Sequence, residues 1–300
     1  MALVLSVFEQ GFIYAIMALG MYITYKILDF PDMTVDGSFP MGAAITAILI
    51  SRGMNAAITL PICFVAGGVV GVITGLIHVK LKVRDLLSGI IMMTALYSVN
   101  LTIAGRANVP IYNMNTIFDN DFINGIMPTV LKPFQTVIIV TIIAVLTKYI
   151  LDAYMATKSG FLLRAVGDND TLVTSLGVDK GMVKIVGLAI ANGLVALSGC
   201  IFAQQQRFFD ISIGTGTAVI GLASVIIGTS LLKKVSFLRI TSSVVIGSII
   251  YKACVAAAVR LGLPSTYMKF VTSALFLLIL VFSMEKNGRN NTKAGKNVSK

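Results

Sequence analysis

The chain has 300 residues, of which 56% are hydrophobic and only 12% charged, with 24 Lys and Arg against 13 Asp and Glu. Soluble domains carry about twice that charged share, so the composition excludes a soluble domain and places the chain in a bilayer as one integral membrane unit. The net charge of +11 then reads as basic residues gathered on one face of a membrane, not as a nucleic-acid surface.

At roughly 20 apolar residues per span, the chain has room for about eight to ten spans. The predicted fold is an all-α, polytopic helical bundle over residues 1–284. A basic, disordered cytoplasmic tail follows over 285–300, free to touch anionic lipid. Apolar runs predict spans near Phe8–Leu28, Phe39–Ile50, Ala56–Val79, Leu86–Ala104, Phe134–Leu151, Val183–Ala203, Ile213–Leu232, Ser242–Val259 and Met268–Met284. The first lacks the basic leader of a cleavable signal and is expected to stay as a span. The second is short: it either begins further upstream or is a broken, re-entrant element.

Between these two runs lies LDFPDMTVDGSFPMG, Leu28 to Gly42, with three aspartates in a costly place. Pro31 and Pro40 each remove a backbone donor, and Gly37 admits dihedrals closed to other residues. Irregular backbone at membrane depth survives only inside protein or against a water-filled cavity. Asp36, Gly37 and Ser38 are therefore candidates for a pathway wall, with Asp36 a transient partner for a passing ammonium group. The competing reading has Asp29, Asp32 and Asp36 capping helix ends or pairing with Lys26.

Lys80, Lys82 and Arg84 share one loop, Lys158, Arg164 and Lys180 a second, and Lys233, Lys234 and Arg239 a third. With the basic tail, all fall on one face, which the positive-inside rule makes cytoplasmic. The N-terminus is then outside and the C-terminus inside. Lys252 and Lys269 fall toward outer span ends and must snorkel or face a cavity.

The loop over 154–181 contains KSGFLLRAVGDNDTLVTSLGVDKG, Lys158 to Gly181. Asp168 or Asn169 starts a helix there and Gly177 ends it, with Leu172, Val173 and Leu176 on one side. An apolar trio, Phe161 to Leu163, precedes Arg164. Such a loop either packs under its own membrane domain or docks into a partner.

Small residues between Ser212 and Gly228 suit close helix contact or a flexible gate. Asn100 and Asn192 are amides within spans, suited to interhelical hydrogen bonds, and Asn192 is also a pathway candidate. Glu9 is interfacial or functional. His78 stands alone, without a partner for metal or nucleophilic chemistry. Cys63, Cys200 and Cys254 fall in apolar runs and are expected to be buried, reduced thiols.

The stretch GFLLRAVGDNDTLVTSLGV, with GLAIANGLVALSGCIFAQQ and IGTGTAVIGLASVIIG after it, resembles permeases of ABC importers of the branched-chain amino acid and ribose type. Asp170 and Thr229 depart from that pattern, where many relatives have proline and glycine. The resemblance implies short coupling helices seated in a groove of a separate ABC ATPase subunit. Phe161, Arg164, Gly167, Asp168, Asn169, Leu172, Leu176 and Gly177 would carry that contact. DMTVDGSFPMGAA is similar to a narrower branch associated with tryptophan and tyrosine. The implied assembly is two copies of the chain in a bacterial plasma membrane, an ATPase pair beneath and an extracytoplasmic substrate-binding protein above. ATP would be used by the ATPase, with no cofactor bound directly and no nucleic acid as partner.

A secondary transporter and a membrane-embedded enzyme are the competing classes. The chain has no Gly-x-x-x-x-Gly-Lys-Ser/Thr loop. Ion-coupled carriers place several ionisable groups mid-membrane, where this chain has few.

Overall fold

The computed structural model describes residues 2–126, 128–175, 177–232, 239–261, 267 and 270–281. Leu176, Lys233, Lys234, Lys269 and the tail lie outside the described residues. Helix α1 (Ala2–Met21) runs into a π-helical segment, Tyr22–Ile27, and α2 is Val35–Ser51. There follow α3 (Ala56–Val79), α4 (Asp85–Ala104), strand β1 (Asn108–Pro110), α5 (Asp121–Ile126) and α6 (Gln135–Met155). Next come α7 (Lys158–Asp168), α8 (Asp170–Ser175), α9 (Lys180–Gln206), strand β2 (Phe208–Asp210), α10 (Thr217–Leu231) and α11 (Ile240–Arg260). A last apolar helix, α12, covers Phe270–Val281. Among the described residues seven helical segments are long and apolar enough to cross a membrane; α2 and α12 are shorter apolar helices.

Helix α9 is the centre of the bundle, and glycine lets its neighbours touch its backbone. A side chain at Gly67 or Gly71 of α3 would collide with the Asn192 and Leu188 carbonyls. One at Gly42 of α2 would strike the Ala196 carbonyl, and one at Gly199 the Phe39 carbonyl. Where lipid removes the hydrophobic drive, such close approach is what gains dispersion between helices. Helices α10 and α11 meet the same way, Gly228 against Ser243 and Gly247 against Ser224.

The two ends of the bundle differ. At one end β1 pairs antiparallel with β2, Val109 opposite Phe209, a strand pair that hydrophobic patterning did not announce. At the other end α7 and α8 lie under α9, and Asp152 of α6 accepts from Thr241 Oγ1 at 2.6 Å at the start of α11.

Two spans differ from their sequence outlines. The run expected over Ile213–Leu232 is broken: a 3-10 turn, Ile211–Gly214, leads into Gly216 at φ +86°, and only then does α10 begin. Helix α2 begins upstream of its apolar run and keeps Pro40 in its second turn. Pro40 has no N–H for the Asp36 carbonyl, and Gly214, lacking a side chain, fits against that carbonyl and the proline ring.

Candidate functional site

The site forms where α2 and α10 both start inside the molecule. At 1.5 Å per residue, α2 runs about 25 Å to the β1–β2 end and α10 about 22 Å to the α7–α8 end. Each helix by itself is shorter than a span of about 20 residues, and α10 reaches that length only with the 3-10 turn before it, so each leaves the orphan N–H groups of a helix start inside the molecule.

An aspartate answers each start. Asp32 Oδ1 accepts from Thr34 N at 2.9 Å, just ahead of α2, and Asp32 Oδ2 accepts from Asn192 Nδ2 at 2.8 Å. Asn192 Oδ1 in turn accepts from Ser38 Oγ at 2.7 Å. All three side chains are buried, and the chain of bonds ties α2 to α9. Asp36 caps a helix from afar. Its Oδ2 accepts from Gly216 N at 3.0 Å, and its Oδ1 from Ala218 N at 2.7 Å and Thr217 Oγ1 at 2.9 Å. A capping side chain is ordinarily the residue before the helix. Here Gly216 supplies the left-handed turn, and the acceptor comes from a residue 180 positions away.

A cavity of about 380 Å³ opens beside this cap, between α2, α4 and the Ile211–Thr215 segment. Asp36 and Gly37 are on its wall; Ser38 and Asn192 are not, being engaged with each other behind it. Asn100 of α4 also faces the cavity and donates Nδ2 to the Gly37 carbonyl at 3.0 Å. Asp29 is exposed and sits at φ +51°, in the left-handed region that aspartate tolerates better than most residues.

The α7–α8 end is joined directly to the chain entering this site. Thr157 caps α7, accepting from Gly160 N at 3.3 Å. Leu163 and Val166 are buried, while Phe161 is 60% exposed. A side chain at Gly167 would strike the Ile27 carbonyl, and one at Gly187 would meet Leu163 and Leu28. Helix α7 thus rests on Ile27 and Leu28, four to five residues before Asp32. Arg164 is exposed, donates to the Met155 carbonyl at 3.2 Å and stacks on Phe161, its guanidinium carbon 5.7 Å from the ring centre. Asp168 and Asn169 are exposed where α7 ends, and α8 carries Leu172 and a buried Val173. Gly177, at φ +75°, closes that turn by donating to the Thr174 carbonyl at 3.0 Å. Residue patterning alone gave no helix over Lys158–Asp168, where the family resemblance had implied coupling helices. Thr157 followed by Gly160, Leu163, Val166 and Gly167 at helical spacing was the available signal.

At the opposite end, Arg207 organises the loop between α4 and α6. It donates to the carbonyls of Tyr112 and Met114 and to Asp119 Oδ2 at 2.6 Å. Hydrogen bonds from Asn124 and Arg207 hold the Asp119 carboxyl below the usual range. Gln204 reaches the same loop, accepting from Ile117 N at 2.9 Å.

Other residues fall apart from the site. Cys63 and Cys200 are buried free thiols, but Cys254 is exposed, a correction to the expectation that all three are buried. It sits on an outward face of α11, where an apolar run borders lipid as readily as protein. Lys252 is buried with Nζ 3.6 Å from the centre of the Tyr14 ring and 3.4 Å from Gln10 Oε1. Glu9 accepts from Gln205 at 3.0 Å, and His78 packs edge-on against Phe30. Among the described residues no cluster of His, Cys, Asp or Glu could hold a metal ion.

The structure thus sets a cavity at two helix starts inside an apolar bundle, with the short helix α7 beneath the segment that leads into α2. The family model for the permease component of branched-chain amino acid transport systems matches residues 3–280, and the chain belongs to that family. It is accordingly a multi-pass inner-membrane permease of an ABC importer, and the family implies ATPase and binding-protein partners. The chain is 40% identical over 277 residues to the tyrosine transport system permease protein of Clostridioides difficile (strain R20291), covering 92% of this chain and 90% of the relative. It is 32% identical to an uncharacterized protein of Rickettsia prowazekii (strain Madrid E), over 93% of this chain and 97% of the relative. The ribose import permease RbsC of Escherichia coli (strain K12) is 24% identical, over 94% of this chain and 85% of the relative. No solved structure matches the chain.

Proposed function

We propose that the chain forms the translocation pathway for an aromatic amino acid, tyrosine or tryptophan, and that two copies of it assemble with an ATPase pair and an extracytoplasmic binding protein. The observation that carries the substrate is the 40% identity, along nearly the full length of both chains, to a permease named for tyrosine transport. The geometry fits the reading. Phe161, Arg164 and Asp168 on α7, with Asn169 just past its end, present an exposed strip for an ATPase groove, and the buried side of α7 bears on Ile27 and Leu28. Movement of that platform reaches Asp32 and then Asp36 through a handful of bonded residues. ATP is consumed by the partner, and the permease converts the motion into exposure of the Asp36 cavity to one side or the other.

Uptake of labelled L-tyrosine, competed by a panel of unlabelled amino acids and by ribose, tests the substrate in cells carrying the chain with its genomic neighbours. Competition by tyrosine or tryptophan alone supports the reading. Competition by ribose or by leucine in their place refutes it. A mass measurement of the purified complex that finds one copy of the chain would refute the pairing.

A further inference from the structure

We propose that Asn100 is a substrate-contacting residue, and that with Asp36 it forms a waystation for the ammonium group of the passing amino acid; this rests on the amino-acid reading above. Asn100 is fully buried on the cavity side of α4. Its Nδ2 is satisfied by the Gly37 carbonyl, but its Oδ1 has no partner among the described residues. A buried acceptor without a donor costs about 1–3 kcal/mol, and packing alone would be better served by leucine. What is missing is a hydrogen-bond donor that comes and goes.

The charge around it selects which donor. Asp36 receives its three bonds from Gly216, Thr217 and Ala218, all on the α10 side, and lies on the same cavity wall as Asn100. A helix start carries about half a positive charge, so the cap leaves roughly half of the carboxylate's charge uncompensated. Among the described residues lining the cavity none is basic. The wall therefore attracts an ammonium group and gives a free carboxylate nothing to pair with. Pro40, Met93, Ile211 and the Tyr97 ring supply an apolar side for the substrate's side chain. At about 380 Å³ the cavity is within the size of small-molecule sites. Half a charge and one neutral carbonyl make a weak site, which passage requires, since a tight one would trap the cargo.

The test reads the cavity directly, without relying on uptake. Thr94, exposed on the cavity wall, is changed to cysteine in the full chain in membranes, with Cys254→Ser removing the exposed native thiol. Labelling by 2-aminoethyl methanethiosulfonate, an ammonium, is compared with labelling by 2-sulfonatoethyl methanethiosulfonate, an anion. The expected rate ratio favours the ammonium by about tenfold, the size of effect a charged cleft exerts on local concentration. Asn100→Leu should cut that ratio by at least half, and Asn100→Asp should raise it. Equal rates for the two reagents, or a ratio that Asn100→Leu leaves alone, overturns the proposal. If Asn100→Leu does not assemble, Asn100→Asp decides: an unchanged ratio overturns it. An Asn100-dependent ratio in a chain that takes up no tyrosine would keep the ammonium site and remove the tyrosine reading.

Discussion

Gly167→Ala is the most informative single methyl group in the molecule. The added Cβ would land on the Ile27 carbonyl, a backbone atom that no rotamer change can move. Relief requires α7 to withdraw from the base of the first span by about 1–2 Å, and such overpacking costs about 1–3 kcal/mol. The helix is not expected to unfold. Burial of Leu163 and Val166, worth about 1.5–3 kcal/mol each, keeps it seated. The consequence falls on transmission, because α7 no longer bears on the residues leading to Asp32. At 1.36 kcal/mol per factor of ten, uptake per ATP hydrolysed should fall by about 5- to 150-fold. Tyrosine uptake and ATP hydrolysis would be measured together in the assembled complex, with Gly125→Ala, where a Cβ meets nothing within 4 Å among the described residues, as the control. A Gly167→Ala complex with the wild-type ratio of uptake to hydrolysis would refute the mechanical link.

Two further outcomes follow from the buried and the exposed carboxylates. Asn192→Leu removes the donor to the buried Asp32 carboxyl and should destabilise the detergent-solubilised protein by about 2–4 kcal/mol; partial recovery in the Asp32→Leu/Asn192→Leu double variant, which still leaves Thr34 N and Ser38 Oγ without these acceptors, would confirm the cause, and an unchanged melting temperature in the single variant would refute it. Asp119→Asn should lower stability near pH 7 by less than about 1 kcal/mol, since the carboxylate is half exposed. Its folded pKa is lowered, so its contribution is present above the unfolded value near 3.9 and is lost as pH falls through the folded value. Thermal melts of the two proteins should therefore converge in acid, and a gap that widens there would contradict the assignment.

Much of the bundle was legible because apolar runs of span length have few alternatives in a bilayer. Pro31, Gly37 and Pro40 marked the irregular entry to α2, since their backbone restrictions are local. What Asp32 and Asp36 hold was not legible. Apart from the local bond of Asp32 to Thr34 N, their partners stand 160 and 180 residues away, at Asn192 and Gly216, and nothing near either aspartate names those. Asp36 caps a helix, as the competing reading expected, and it also stands on the wall of a cavity. The strand pair of β1 and β2 escaped because three residues are too few for a period-2 pattern. Helix α7 escaped residue patterning, though not the family resemblance, because two glycines, Gly160 and Gly167, stand where apolar residues are looked for. Cys254 shows the limit of hydropathy in a membrane, where an apolar residue says nothing about which side of the helix is covered.

The most direct measurement is accumulation of L-tyrosine by proteoliposomes holding the chain with its ATPase and binding protein, wild type against Asp36→Asn. The amide keeps the size of the side chain but loses the charge facing the cavity and half of its acceptors for the α10 start. Accumulation that requires ATP in the wild type, and falls at least tenfold in an Asp36→Asn complex of normal composition and basal hydrolysis, is the predicted result. Accumulation driven by an ion gradient without ATP, or undiminished in Asp36→Asn, would contradict it.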